Sequence, residues 1–357
     1  MATLISVASG KGGVGKSVVS TNLALALAKG GRRVVLADLD VGGADAHIMV
    51  GQLNPSVTLT DFLNKRVERL NDATTPVTFH QNLRLLAGTG DTLATANMAY
   101  ARKKRLMKHF RNLEADVVVI DIGAGTSYHA LDFFLMGDIH VAIATPEPTS
   151  VLDLYRFIKL SAIRRVVACF LARSPLSDLL SNRDFLSVED VMEVAGATDV
   201  EGREIAARAL QSFRPGLIIN RSAGRSQVNV LYLRKLLREY VGGDLTLLGE
   251  IPEDPAVSQS VRSFLPVIEA VPDSSATKGL LAVSRAIEQL LTECADQRNE
   301  ETDRPEERPT AVVFSKAEGP PSLPVSAPAK PEVPTAPYLS RPNSAGDPVK
   351  PVDGTIV

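Results

Sequence analysis

The segment from Gly10 to Ser17 has the residue types and the spacing of a loop that binds phosphate groups. It reads GKGGVGKS, fits the pattern GxxxxGK(S/T), follows the apolar run LISVA and precedes a helical pattern. Glycines let the backbone turn with its N–H groups pointing inward, and the N-terminus of a helix adds positive charge there. Lys16 would meet the β- and γ-phosphates, and Ser17 would ligate Mg²⁺. The pattern therefore predicts a nucleoside triphosphate as ligand.

Three aspartates end predicted strands and supply carboxylates for the same site. Asp38 and Asp40 close the run VVLADLD at positions i and i+2, so both point the same way from an extended chain. Asp121 follows the apolar run VVVI and precedes IGAGT, which is typical of a carboxylate that holds Mg²⁺ through a water and of a flexible switch segment. For Asp38 and Asp40 the alternative is a polar strand end that faces solvent. For Asp121 it is an ordinary aspartate after an apolar strand, since many strands end that way.

A second lysine, Lys11, lies one residue after the first glycine, where an ordinary phosphate-binding loop has no need of a cation. With this loop and the string DIGAG that begins at Asp121, the sequence resembles the MinD/ParA family of P-loop ATPases, and within it the MinD and flagellar-number (FlhG/FleN) branch. The resemblance covers residues 1–291 outside an insertion. It implies ATP and Mg²⁺ as cofactors and an ATP-bound homodimer, in which Lys11 reaches the phosphates of the partner's nucleotide.

The resemblance also implies roles for individual side chains. Asp40 would orient the attacking water, and Asp38 would support Mg²⁺ or its waters. Asn220 would read the adenine edge and Pro252 would pack along the base, although a strand-terminal turn is the alternative for Asn220. The motifs and the resemblance together predict catalytic roles for Lys11, Lys16 and Asp40, metal binding by Ser17, Asp38 and Asp121, and nucleotide binding by Gly10, Lys11, Gly12, Gly13, Val14, Gly15, Lys16, Ser17, Val18, Asn220 and Pro252.

Two positions depart from the pattern of that branch. The run after DVGG is Ala44–His47, where the branch usually places an asparagine and then an aspartate. An extra carboxylate at Asp45 would repel a γ-phosphate unless it is paired, so dimer contacts or the hydrolysis rate would differ. For His47 we favour a surface position. Residues 146–150, PEPTS, also look like the flagellar branch, with a proline-stiffened turn as the alternative.

The elements that must position these residues alternate along the chain. Short β-branched runs alternate with longer helical periodicities, which predicts an α/β P-loop NTPase fold with a mostly parallel twisted sheet and helices on both faces. The predicted strands are Leu4–Ala8, Arg33–Ala37, Leu83–Ala87, Val117–Ile120, Ile139–Ala144, Leu217–Ile219 and Leu245–Leu248. The predicted helices are Ser17–Lys29, Ala99–Leu113, Tyr128–Leu135, Val151–Arg165, Asn229–Tyr240 and Thr277–Leu291.

Two segments fall outside this alternation. A helical insertion is expected at residues 166–213, with helix-start signals at Ser174 and at Ser187, where Asp190 follows three residues later. Its mixed charges suit a solvated face, with partner docking as the alternative. From Asp296 onward prolines accumulate, which predicts a disordered Pro-rich tail. We therefore expect an ATPase domain at residues 1–295 and a tail at 296–357.

Composition narrows the classes of protein. The net charge of -2 gives no overall support for nucleic-acid binding. Cys169 and Cys294 form no cluster, which argues against disulfides, zinc and iron–sulfur clusters and suits a reducing compartment. The N-terminus lacks the pattern of a signal peptide. No apolar run in the sequence is as long as the about 18 residues that a membrane-spanning helix needs. We expect a cytoplasmic protein, with a peripheral position at the membrane or nucleoid left open.

The resulting hypothesis is a slowly hydrolysing ATP switch that regulates spatial organisation, such as the division site, flagellar number or the motility machinery, through a protein activator or effector. A DNA-segregating ParA-type ATPase and a metabolic enzyme with the same loop are the alternatives. An iron–sulfur carrier of the same fold would need paired cysteines. The acidic and proline-rich C-terminal sequence does not resemble the basic amphipathic helix with which MinD proteins grip lipid.

Overall fold

The computed structural model describes residues 1–40, 43–88, 100–170, 185, 187–198, 200–223 and 230–303. Met1–Arg304 form one compact unit. The helix-start signal at Ser174 lies outside the described residues, and so do residues 304–357 of the tail predicted at 296–357. Residues 296–303 of that predicted tail are described, and they are helical. The domain boundary at residue 295 and the insertion therefore remain predictions.

Within the described residues, one sheet holds eight strands in the order β3-β4-β2-β5-β1-β6-β7-β8. Every neighbouring pair is parallel except β3 and β4. This confirms the predicted mostly parallel sheet. The strands are β1 Thr3–Ala8, β2 Val34–Leu39, β3 Thr75–Pro76, β4 Leu83–Leu86, β5 Val117–Ile122, β6 Ile139–Ala144, β7 Gly216–Ser222 and β8 Thr246–Pro252.

Helices cover both faces of the sheet. They are α1 Lys16–Lys29, α2 Ala46–Met49, α3 Leu59–Leu63, α4 Tyr100–Arg111, α5 Tyr128–Met136, α6 Pro148–Phe170, α7 Val188–Thr198, α8 Val200–Gln211, α9 Val230–Val241, α10 Pro255–Arg262, α11 Val267–Ala270 and α12 Ser275–Asp303. A 3₁₀ turn, Leu70–Ala73, precedes β3. Among the described residues, no helix has both the length and the apolar character needed to cross a membrane.

The apolar core has two halves because neighbouring residues of a strand point to opposite faces. In β5, Val118 and Ile120 pack with residues of α4 to α9 on one face. Val117 and Val119 pack with residues of α1, α11 and α12 on the other. The parity continues to Asp121, which therefore projects toward the side of the sheet that α1 covers.

The ends of several helices differ from the predicted ends. Helix α6 is longer than predicted at both ends, and α12 extends from Ser275 to Asp303, beyond the predicted end at Leu291. Tertiary contacts hold this polar extension, since the guanidinium of Arg298 donates to Thr3 Oγ1 at 3.1 Å and pairs with Asp138 at 2.8 Å. Sequence periodicity could not show these contacts, because they join distant parts of the chain.

Helix α6 continues into the predicted insertion as far as Phe170, and helices α7 and α8 occupy most of its other described residues. At the start of α7, the N–H of Ser187 donates to Asp190 Oδ2 at 3.0 Å, and the N–H of Asp190 donates to Ser187 Oγ at 3.1 Å. This is the reciprocal cap that the sequence signal predicts. Arg165 of α6 donates to the carbonyl of Ala209 in α8 at 2.9 Å. This hydrogen bond joins α8 to helix α6, which packs on the sheet.

Candidate nucleotide and magnesium site

The loop between β1 and α1 turns on two glycines in the left-handed region. Gly13 has φ 80° and Gly15 has φ 88°, a conformation that other residues adopt only at a cost in energy. A Cβ on Gly15 would also lie 2.3 Å from the side-chain nitrogen of Asn220. Helix α1 begins directly afterwards at Lys16. The backbone therefore has the turn and the helix N-terminus that a phosphate-binding loop needs.

Lys16 is buried in a pocket of carboxylates. Its ammonium lies 2.9 Å from Asp121 Oδ1 and 3.5 Å from Asp40 Oδ2, and its side chain is only 6% exposed. Burial on its own lowers the pKa of Lys16, but the ion pair with Asp121 and the charges of Asp40 and Asp38 outweigh it, so the pKa lies above its ordinary value. The lysine therefore stays charged and is the cation of a strongly acidic cluster.

Asp121 lies at the centre of this cluster. It is fully buried, and its Oδ1 accepts from Lys16 and lies 3.0 Å from the hydroxyl of Ser20. Its Oδ2 is buried and has no hydrogen-bond partner among the described residues. An unpaired buried carboxylate oxygen is costly, and a metal ion or a water bound to a metal ion would satisfy it.

Asp38 is the register neighbour of Asp121 on the adjacent strand β2. Its two oxygens accept backbone N–H groups, Oδ1 from Asp40 and Oδ2 from Ala46, each at 3.0 Å. Burial and the nearby charge of Asp121 raise the pKa of Asp38 to about 7, against the lowering effect of these hydrogen bonds and of Lys16. In this structure Asp38 shapes the loop between β2 and α2, and its role toward Mg²⁺ stays a prediction.

Lys11 lies in a different environment from Lys16. It is exposed, and its ammonium donates to Thr149 Oγ1 at 3.1 Å in the first turn of α6. The hydroxyl of Ser9 donates to the carbonyl of Lys11 at 2.9 Å and fixes the backbone below it. The PEPTS segment thus forms the start of a helix whose threonine holds the extra lysine.

Asn220 lies two residues before the end of β7, and Pro252 is the last residue of the neighbouring strand β8. The amide nitrogen of Asn220 donates to the carbonyl of Val14 at 2.7 Å, which joins β7 to the phosphate loop. Pro252 lies against α12, where a Cβ on Gly279 would come within 2.8 Å of its ring. Asp254 fixes the following turn, because its carboxylate accepts from Ala256 at 2.9 Å and from Ser275 at 2.6 Å. Contact of Asn220 and Pro252 with a base stays a prediction.

The residues at this edge suit Mg²⁺ bound with a nucleotide. The hydroxyl of Ser17, in the first turn of α1, and the unpaired oxygen of Asp121 are the hard oxygen ligands that Mg²⁺ prefers. In the described part of the chain, no group of three or more His, Cys, Asp or Glu side chains could hold a metal ion. Mg²⁺ usually keeps several waters and binds through one or two carboxylates together with phosphate oxygens.

Comparison with known proteins decides the family. Residues 5–267 match the family described as CobQ/CobB/MinD/ParA nucleotide binding domain, which is more than half of the chain. The chain belongs to this family. This match confirms the resemblance to the MinD/ParA family that the loop and the DIGAG string indicate.

Individual members of the family are similar over most of the chain. The antiactivator FleN of Pseudomonas aeruginosa is 28% identical over 288 residues, which are 80% of this chain and 86% of FleN. An uncharacterised ATP-binding protein of Methanocaldococcus jannaschii is 25% identical over 286 residues, 80% of this chain and 87% of that protein.

A solved structure has the same fold. It is the septum site-determining protein MinD of Pyrococcus horikoshii in complex with Mg-ADP, and it superimposes with a TM-score of 0.57 at 22% identity. The match covers 82% of this chain and 99% of that one. At 22% identity, this similarity shows that the two chains share a fold.

In this family member the structure brings together only some of the predicted site residues. The acidic cluster joins Lys16, Asp38, Asp40 and Asp121, and Asn220 reaches the loop from the other side. Lys11 contacts α6 instead. Gly10, Gly12, Ser17 and Val18 lie in the loop and the first turn of α1. Asp45 is exposed just before α2, and His47 is half-buried within α2. Pro252 lies against α12.

Sequence reasoning missed two residues of the site. Ser20 contacts Asp121, and Thr149 contacts Lys11. The position of Ser20 gives a signal, because residues four apart share one face of a helix and Ser20 follows Lys16 by four. Thr149 belongs to the PEPTS segment that the sequence singles out, but nothing in that segment predicts its contact with Lys11, which depends on how α6 packs.

Proposed function

We propose that this chain is an ATP-dependent dimerisation switch that hydrolyses ATP slowly with Mg²⁺. ATP would join two copies face to face, the dimer would present a surface to a protein activator or effector, and hydrolysis would separate the copies. The names of its relatives, an antiactivator and a septum site-determining protein, support a role in the spatial organisation of the cell, such as the division site, flagellar number or motility. A peripheral position at the membrane or nucleoid is part of the proposal.

The observation that carries the proposal is the contrast between the two lysines of one loop. Lys16 is 6% exposed and neutralises the carboxylates of its own site. Lys11 is exposed and is held by Thr149 at the surface beside the same loop. A second cation on the outer side of a triphosphate site can contact the phosphates bound by a facing copy. The two copies would then associate only when the negatively charged nucleotide is bound.

The surroundings of Asp40 support its role in hydrolysis. Its side chain is 24% exposed, so water can reach it, and it lies 3.5 Å from the ammonium of Lys16. A Cβ on Gly123, in the switch segment after Asp121, would lie 3.1 Å from Asp40 Oδ1. A carboxylate held between the phosphate loop and the switch segment is suited to orienting a water for attack on a phosphate.

Light scattering after gel filtration tests the dimer directly. With ATP and Mg²⁺ we expect the unaltered chain to be a dimer, and with ADP a monomer. Lys11→Ala should remain monomeric with ATP because the bridging cation is absent. Asp40→Ala should remain dimeric because the attacking water is no longer oriented. Lys235→Ala, which removes an exposed lysine of α9, should behave as the unaltered chain does.

A monomer under all nucleotides would refute the switch while leaving ATP binding possible. Dimerisation of Lys11→Ala to the same extent as the unaltered chain would refute the role of Lys11. The DNA-segregation alternative makes a different prediction, since it requires salt-sensitive binding of the ATP-bound dimer to nonspecific duplex DNA.

A further inference from the structure

Ser20 is a buried hydroxyl of α1 that the proposed hydrolysis does not use. It is fully buried, and its Oγ lies 3.0 Å from both the carbonyl of Lys16 and Oδ1 of Asp121. A hydroxyl has one proton to donate, and neither of these two oxygens can donate in return. A carboxylate is a stronger acceptor than a carbonyl, so the hydroxyl of Ser20 donates its hydrogen bond to Asp121 Oδ1.

This contact makes the two oxygens of Asp121 unequal. Oδ1 is held by Lys16 at 2.9 Å and by Ser20 at 3.0 Å, whereas buried Oδ2 has no partner in the part of the chain that the structure describes. A triphosphate in the loop would compete with Asp121 for the ammonium of Lys16. The rotation of an aspartate carboxylate about its last torsion is only weakly restricted by the side chain itself. Once Lys16 moves to the phosphates, Ser20 would be the contact that still fixes Oδ1.

We infer that Ser20 is a positioning residue for magnesium. By holding Oδ1 it keeps the carboxylate in the orientation that aims Oδ2 at the Mg²⁺ of a bound nucleotide, or at a water of that ion, after Lys16 has left. The inference rests on the proposed nucleotide site but not on dimerisation. Partners that orient a metal ligand in this way typically contribute about 10- to 100-fold to metal affinity or activity.

The test is the Mg²⁺ dependence of nucleotide binding, measured by the anisotropy of a fluorescent ATP analogue. The analogue is first bound to the full chain in EDTA and then titrated with Mg²⁺. In Ser20→Ala we expect the Mg²⁺ concentration for half-maximal enhancement to rise by about 10-fold. Binding in EDTA should be unchanged, because Ser20 makes no contact with the nucleotide in this proposal.

Ser161→Ala is the matched control. Ser161 is also fully buried in a helix, and its hydroxyl donates at 2.8 Å to the carbonyl of Phe157, four residues earlier. The hydroxyl of Ser20 has the same relation to the carbonyl of Lys16. We expect this variant to keep the Mg²⁺ dependence of the unaltered chain. Ser20→Cys keeps the shape of the side chain, with a slightly larger atom that is a weaker donor. It should shift the Mg²⁺ dependence in the same direction, and it replaces the alanine variant if that one does not fold.

The outcomes separate this inference from the proposed switch. An unchanged Mg²⁺ requirement in folded Ser20→Ala or Ser20→Cys overturns the inference, and so does an equal loss of affinity with and without Mg²⁺. A chain that binds nucleotide with the expected Mg²⁺ shift but stays monomeric refutes the switch and supports the role of Ser20. No nucleotide binding by the unaltered chain overturns both.

Discussion

Lys16 and Lys29 lie at the two ends of helix α1, and each pairs with a carboxylate in a very different environment. Lys16 contacts Asp121 at 2.9 Å, with side chains 6% and 0% exposed. Lys29 contacts Glu269 at 2.7 Å, with side chains 39% and 35% exposed. Water screens the attraction between the exposed charges of Lys29 and Glu269, whereas it does not screen the buried charges of Lys16 and Asp121. The two lysines are therefore a matched pair in which burial is the main difference.

Without nucleotide, Lys16→Ala should lower the free energy of unfolding by about 3 kcal/mol, because it leaves a buried carboxylate without its cation. Lys29→Ala should change it by less than about 1 kcal/mol. Urea denaturation followed by circular dichroism measures both values. Equal effects of the two substitutions would contradict the burial and pairing described for Lys16.

At the residue scale the sequence predicts side-chain direction better than it predicts partners. The spacing of Asp38 and Asp40 predicts two carboxylates on one side, and Asp40 does lie next to Lys16. That Asp38 accepts two backbone N–H groups could not be predicted, because the path of the following loop decides it. The contact between Asn220 and the carbonyl of Val14 joins residues far apart in the chain, and local pattern contains no information about it.

At the scale of elements, the phosphate loop is locked against helix α6. A Cβ on Gly10 would lie 2.2 Å from the carbonyl oxygen of Asp153, so the two backbones meet without a side chain between them. Thr149 of the same helix holds Lys11. Helix α6 thus positions both the start of the loop and the exposed lysine.

Gly10→Ala should therefore destabilise the fold by about 2 kcal/mol, since either the loop or α6 must move to make room. Gly12→Ala is the matched control, because a Cβ on Gly12 would meet nothing within 4 Å. It should leave the free energy of unfolding within about 0.5 kcal/mol of the unaltered value. Urea unfolding of both variants without nucleotide makes the comparison, and an unaffected Gly10→Ala would show that the loop and α6 are not in tight contact.

The sequence predicts elements well where they are long or strongly β-branched. The run VVVI predicts β5, and all seven predicted strands are present: Ile139–Ala144 has the predicted bounds, and the other six differ at one or both ends. Strand β3 has two residues and α2 has four, which is too short for a periodic pattern to appear. Strand order could not be predicted from pattern alone, since it depends on which edges pair.

At the scale of the whole molecule, the parallel sheet gathers the chemistry at one edge. Ligands of open α/β sheets bind beyond the carboxyl ends of the strands, where backbone N–H groups and loop side chains converge. Here Lys16 and Ser17 follow β1, Asp40 follows β2, and Asp121 lies near the end of β5. Nucleotide binding at this edge is the claim on which the switch and the role of Ser20 both depend.

Equilibrium dialysis of ATP with Mg²⁺ against the full chain at neutral pH tests that claim most directly. We predict saturable binding of one ATP per chain, lost in folded Lys16→Ala and retained in Lys29→Ala. No bound ATP on the unaltered chain, or equal binding by Lys16→Ala, would contradict the assignment of the loop as the nucleotide site.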